Sequence, residues 1–149
     1  MKKNKTKTVL LVMMLFGPAL FSAGACIFTY TLVGPDSSTE ERVSMEPGVA
    51  VPVEQGKEYR IEITMREDHG NCSIRAEDTL FLLEETRWRV GRETQPLVLL
   101  YPISWQRTGS RGYTTIIEFV VNKPGAWTID VIRDCDREGY HQRLLLTSS

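Results

Sequence analysis

Glu58-Tyr-Arg-Ile-Glu-Ile-Thr-Met-Arg66 is the stretch on which the fold turns. Tyr59, Ile61, Ile63 and Met65 share one parity, and Arg60, Glu62, Thr64 and Arg66 share the other. Successive side chains of a strand point to opposite faces, so this alternation predicts one buried face and one wet face. Turn-forming residues bound it: Glu54-Gln55-Gly56-Lys57 before, and Glu67-Asp68-His69-Gly70-Asn71 after.

The same pattern recurs outward from this strand. Strands are expected at residues 28–32, 49–53, 79–83, 86–90, 97–101 and 142–147. Two longer ones, Tyr113 to Val121 and Ala126 to Cys135, flank Asn122-Lys123-Pro124-Gly125. Pro presets φ and Gly accepts a positive φ, the requirement at the centre of a type II turn, so residues 113 to 135 are expected to form a β-hairpin. Seven to nine short strands with frequent Gly or Pro breaks and no amphipathic helix predict an all-β chain, a single antiparallel β-sandwich. At 149 residues one core is expected, over residues 26–149.

The N-terminus has a different character. Lys2, Lys3, Lys5 and Lys7 precede an apolar run from Val9 to Phe16, then Gly17-Pro18 and the small residues Ala23-Gly24-Ala25. This is the order of a secretory signal with cleavage after Ala25, so residues 1–25 are expected to be a signal peptide. Two other fates stay open. The uncharged run continues to Pro35, long enough for an uncleaved anchor reaching to residue 33, and Cys26 stands where bacterial lipoproteins are lipid-modified. The expected location is extracytoplasmic, with membrane contact through the N-terminus.

Of 18 basic residues four precede residue 25, which leaves 14 against 19 acidic ones, a formal charge of −5. An acidic domain argues against nucleic-acid binding, which rests on neutralising phosphates. Within it, Thr86 to Tyr113 carries Arg87, Arg89, Arg92, Arg107 and Arg111 against one acid, together with Trp88 and Trp105. Arg and Trp are enriched where proteins bind each other, so these seven residues are a candidate partner-binding patch. The plainer alternative puts Trp88 in the core and the arginines on a solvated face. Residues 104–112 form the best candidate binding loop.

Cys135 shares parity with Trp127, Ile129 and Val131, and Cys72 with Ile74 and Ala76, so both are expected to face inward. In an oxidising compartment the default for two such residues is a disulfide. Two reduced thiols, or a bridge to Cys26, are the alternatives. No supporting motif surrounds a Ser-His-Asp set, and no Gly-rich phosphate loop occurs. Glu84 and Glu85 adjoin on an expected strand and would face opposite sides. No enzyme is expected.

Thr114 to His141, TTIIEFVVNKPGAWTIDVIRDCDREGYH, resembles the end of cupredoxin domains, where a Pro-Gly turn opens a strand that ends at a copper-ligating Cys followed by His. Asp68-His69-Gly70 is similar to the place of that family's first His ligand. The resemblance implies copper ligands at His69, Cys135 and His141, a soft thiolate with two imidazoles. No Met follows His141, where that family carries its axial ligand. Immunoglobulin-like domains of exported proteins share the Pro-Gly and aromatic pattern. The leading expectation is a non-catalytic extracytoplasmic interaction module with a protein partner in the cell envelope and no cofactor. A copper protein is the alternative.

Overall fold

The computed structural model describes residues 26–35, 41–68, 72–135 and 139–149. The expected signal segment and His69 lie outside them. Eleven strands form among the described residues: β1 (Ile27–Val33), β2 (Arg42–Ser44), β3 (Ala50–Val53), β4 (Glu58–Arg66), β5 (Leu80–Leu83), β6 (Thr86–Arg87), β7 (Leu97–Leu99), β8 (Gln106–Arg107), β9 (Gly112–Val121), β10 (Gly125–Arg133) and β11 (Tyr140–Ser148). One sheet runs β2-β1-β4-β9-β7, with β8 also on β9, and the other runs β3-β11-β10-β5-β6. The architecture is all-β in two sheets around one core, compatible with a sandwich. One pair departs from the antiparallel expectation: β3 runs parallel to β11.

The alternation that predicted β4 is what the structure buries. Ile61, Ile63 and Met65 are at most 1% exposed; Ile61 and Ile63 meet Ile117, Phe119 and Val121 of β9 and Ile129, Val131, Leu144 and Leu146 of the opposite sheet, while Met65 packs with Cys26 and Ala76 in a smaller cluster. β1 pairs with β4 over all seven of its residues, from Ile27↔Arg66 to Val33↔Arg60. Residues 27 to 33, to which an anchor was allowed to reach, are therefore strand.

The expected hairpin over 113–135 is not formed. β9 lies between β4 and β7, and β10 lies in the other sheet between β11 and β5. Each strand carries a full inward set of apolar side chains, so the two lie across the core from one another and the 122–124 link crosses between sheets. Asn122 fastens this link through its N–H to the Pro96 carbonyl (2.7 Å) and its side-chain amide to the Glu93 carbonyl (2.7 Å). Gly125 is needed for a different reason from the turn expected. Its φ is +141°, and a Cβ there would come within 2.7 Å of the Trp127 ring.

The strand expected over 86–90 is paired only at Thr86 and Arg87. Trp88 turns into the core at 5% exposure, its indole N–H donates to the Leu97 carbonyl (2.8 Å), and Val90 bridges to Leu99 of the other sheet. Glu84 and Glu85 are not on a strand. They are the two central residues of the β5–β6 turn, with φ of +48° and +63°. Such a turn favours Asn-Gly, because other residues strain at positive φ. Glu84 is held by its own carboxylate, which accepts from the Thr128 N–H (2.6 Å) and hydroxyl (2.9 Å).

Gly125→Ala is expected to destabilise the domain by about 1–3 kcal/mol through overpacking against Trp127. Glu85→Gly relieves positive-φ strain and is expected to stabilise it by about 1 kcal/mol. Urea titration of both variants checks the opposite signs.

Candidate functional site

Arg133 is the last residue of β10 and shares the inward parity of Ile129 and Val131. Its side chain is 0% exposed. A buried guanidinium needs acceptors for its donors; here the two terminal nitrogens find them in the segment between β4 and β5, while Nε has no partner among the described residues. One terminal nitrogen, Nη1, donates to the carbonyl of Arg75 (2.8 Å) and to the Thr79 hydroxyl (3.4 Å). The other, Nη2, donates to the carbonyl of Ile74 (2.6 Å), to Glu67 Oε1 (3.2 Å) and to Cys72 Sγ (3.2 Å). Glu67, 13% exposed at its side chain, is the counter-charge.

The three cysteines gather around this arginine. Cys72 Sγ and Cys135 Sγ are 3.6 Å apart, in contact but not bonded. Cys26 is buried and packs with Met65 and Ala76. Burial pushes the Cys26 thiol up, against the attraction of Arg133. Burial also raises Cys72, but hydrogen bonds from the Ile74 N–H, Arg133 and Cys135 outweigh it, and the Cys72 thiol lies below the ordinary range. Cys72 is not on a strand, contrary to the parity expected of it: it precedes a 3₁₀ turn at Ala76–Asp78.

Above this cluster stands an aromatic column. Phe28 stacks on Tyr140 with ring centroids 4.1 Å apart and meets Trp105 edge-on at 6.5 Å, while Trp105 lies 6.3 Å from Phe81. Tyr30 and Tyr140 share a hydrogen bond between hydroxyls (2.8 Å). Trp105 is half-buried and belongs to two adjoining grooves. One, of about 270 Å³, is lined by Phe81, Trp88, Ile103 and Trp105 with Arg87 and Arg89. The other, of about 360 Å³, includes Cys72, Trp105, Arg107 and Tyr113. Glu77 lines both.

The structure separates the seven patch residues. Arg87, Arg89 and Arg92 are exposed, and their side chains make no hydrogen bond or ion pair with another described residue. Arg107 instead folds onto its own loop, donating to the carbonyls of Gly109 and Ser110 (both 2.9 Å). Arg111 is exposed beside it, and its carbonyl accepts from the Glu67 N–H (2.9 Å). Trp88 is a core residue.

His141 lies on the outward parity of β11, 58% exposed at its side chain. Its Nε2 is 3.0 Å from Asp130 Oδ1, which also accepts from Arg143 (2.9 Å). Burial raises the Asp130 carboxyl, but these two hydrogen bonds outweigh it and hold it below the usual aspartate range. Cys135 instead meets Cys72 at the end of the core, so the structure does not bring it together with His141. Among the described residues no group of three His, Cys, Asp or Glu side chains converges to hold a metal. A larger groove of about 750 Å³ opens at the opposite edge, between Val43 and Val51.

No family model matches the chain, and no curated protein is similar to it. The cupredoxin and immunoglobulin resemblances therefore stand only at the level of two sheets.

Arg133 was readable in principle from its parity with Trp127, Ile129 and Val131. Its acceptors were not, because all five lie in the non-strand segment between β4 and β5, which has no periodicity. Glu67→Leu leaves the buried guanidinium without its counter-charge and is expected to destabilise the domain by about 3 kcal/mol. Urea denaturation checks this, and an unchanged midpoint contradicts it.

Proposed function

We propose that the chain is an exported, non-catalytic β-sandwich module that binds an acidic, extended polypeptide segment of an envelope partner. The observation that carries this reading is the groove that Ile103 and Trp105 line over the buried rings of Phe81 and Trp88, flanked by Arg87 and Arg89, which have no partner within the described residues, with Glu77 on its wall. Aromatic surface supplies contact area at low entropic cost, and unpaired arginines favour carboxylates by bidentate hydrogen bonding. The exposed Val90, 46% accessible, extends the apolar floor. The concentration of positive charge at this one edge of an otherwise acidic domain steers an acidic segment to it.

Export rests on the basic, apolar and small-residue order of residues 1–25. Cys72 and Cys135 are in contact but unbonded, and an oxidising exterior would close such a pair into a disulfide. Cys26 is packed inside the domain, and we read it as an interior thiol rather than a lipid attachment point. Intact mass of the exported protein is expected to show cleavage near Ala25 and no lipid. An uncleaved chain or a lipid adduct on Cys26 contradicts this.

The groove is tested by titrating the protein with a random copolymer of Glu and Tyr and, in parallel, one of Lys and Tyr. The Glu copolymer is expected to bind, weakening as salt screens the arginines. Arg87→Glu with Arg89→Glu is expected to reduce that affinity on the order of tenfold, the effect of about 1.4 kcal/mol. Equal binding of both copolymers, or no effect of the double reversal, contradicts the reading.

A further inference from the structure

We propose that Cys72 and Cys135 form an exchange-active dithiol, in which Cys72 attacks an incoming disulfide and Cys135 resolves the product. This deepens the reading of the module as exported and rests on it only for the compartment, where disulfides of small molecules and proteins are the available oxidants.

Three observations assign the roles. The two sulfurs are already in contact at 3.6 Å, so the resolving step needs no large rearrangement. The buried Arg133 stands 3.2 Å from Cys72 Sγ, and a neighbouring guanidinium stabilises the thiolate that does the attacking. Both sulfurs are partly exposed, but Cys72, and not Cys135, lines the groove with Trp105, Arg107 and Tyr113, so Cys72 is the sulfur that a disulfide entering this groove reaches. That groove adjoins the arginine-flanked one through Trp105 and Glu77, which places the thiol at the end of the proposed binding surface. Cys26 has the same arginine for a neighbour, but it is 4% exposed and takes no part.

The chemistry balances as two displacements. The Cys72 thiolate attacks one sulfur of a disulfide R–S–S–R, the S–S bond breaks, a Cys72–S–S–R bond forms, and RS⁻ leaves and takes up the proton that Cys72 gave. The Cys135 thiolate then attacks the Cys72 sulfur, expels the second RS⁻, and leaves the Cys72–Cys135 disulfide. The domain is oxidised by two electrons, and the incoming disulfide is reduced to two thiols.

The test uses oxidised glutathione with the reduced protein, read by intact mass and peptide mapping. Wild type is expected to end as the Cys72–Cys135 disulfide with no retained glutathione. Cys135→Ser, checked for folding by far-ultraviolet circular dichroism, is expected to retain glutathione on Cys72. Retention on Cys26, or none, overturns the proposal. A second measurement needs no variant. Limited alkylation of native reduced wild type is expected to label Cys72 on the order of tenfold faster than Cys26, because thiolate fraction and access set the rate. Equal rates overturn it. A bridge that forms in air while no glutathione is trapped leaves a structural disulfide and sinks the exchange role alone. Loss of copolymer binding with trapping intact sinks the groove reading alone.

Discussion

A single buried guanidinium governs one end of this molecule. Arg133 reaches back from the end of β10 into the space between the sheets, where a charge needs acceptors and a counter-ion close by. It takes these from Glu67 at the end of β4 and from the carbonyls of Ile74 and Arg75. The segment from Cys72 to Thr79 has one 3₁₀ turn, the Arg75–Asp78 ion pair and the buried Ala76 to hold it. Arg133 adds hydrogen bonds to Cys72, Ile74, Arg75 and Thr79, in the position that brings Cys72 against Cys135 and lays Glu77 along the groove wall.

The rest of the fold supplies a rigid frame for this end. β1, β4 and β9 are paired over seven and nine residues, and their inward side chains interlock with those of β10 and β11. The chain is least regular at Trp88 to Val90, where it crosses from one sheet to the other, and between β7 and β8, two short strands of one sheet. The arginine-flanked groove opens there. Binding surface and reactive sulfur thus share one neighbourhood, with Trp105 packed between the core ring of Phe28 and the outside.

Much of the fold was legible because period-two alternation is a local signal. Tyr59, Ile61, Ile63 and Met65 face the core as their parity requires, and Trp88 went to the interior that its size favours. Pairing was less legible, because it is decided across the core and not within a segment. Pro124-Gly125 has the composition of a hairpin turn, yet the competing demand of two apolar strand faces sent β9 and β10 to opposite sheets. Glu84-Glu85 reads as strand by position and is a tight turn, since nothing in two glutamates announces positive φ. At the site, parity does not account for the cysteines: Cys72 is not on a strand, and the two sulfurs stand in contact without the expected bond, beside a buried Arg133. Charged residues are so rarely fully buried that parity alone does not flag one. The arginines of the patch were identified as a group, and only their partners in space separate the open Arg87 and Arg89 from Arg107, which is tied to its own loop.

The claim that the hydrogen bonds of Arg133 hold residues 72 to 79 in position is tested most directly by hydrogen exchange in wild type and in Arg133→Met, which keeps apolar volume and removes the donors. The expected result is rapid exchange across residues 72–79 in the variant, with β1, β4 and β9 still protected. Unchanged protection of residues 72–79 in a folded Arg133→Met protein would contradict the account.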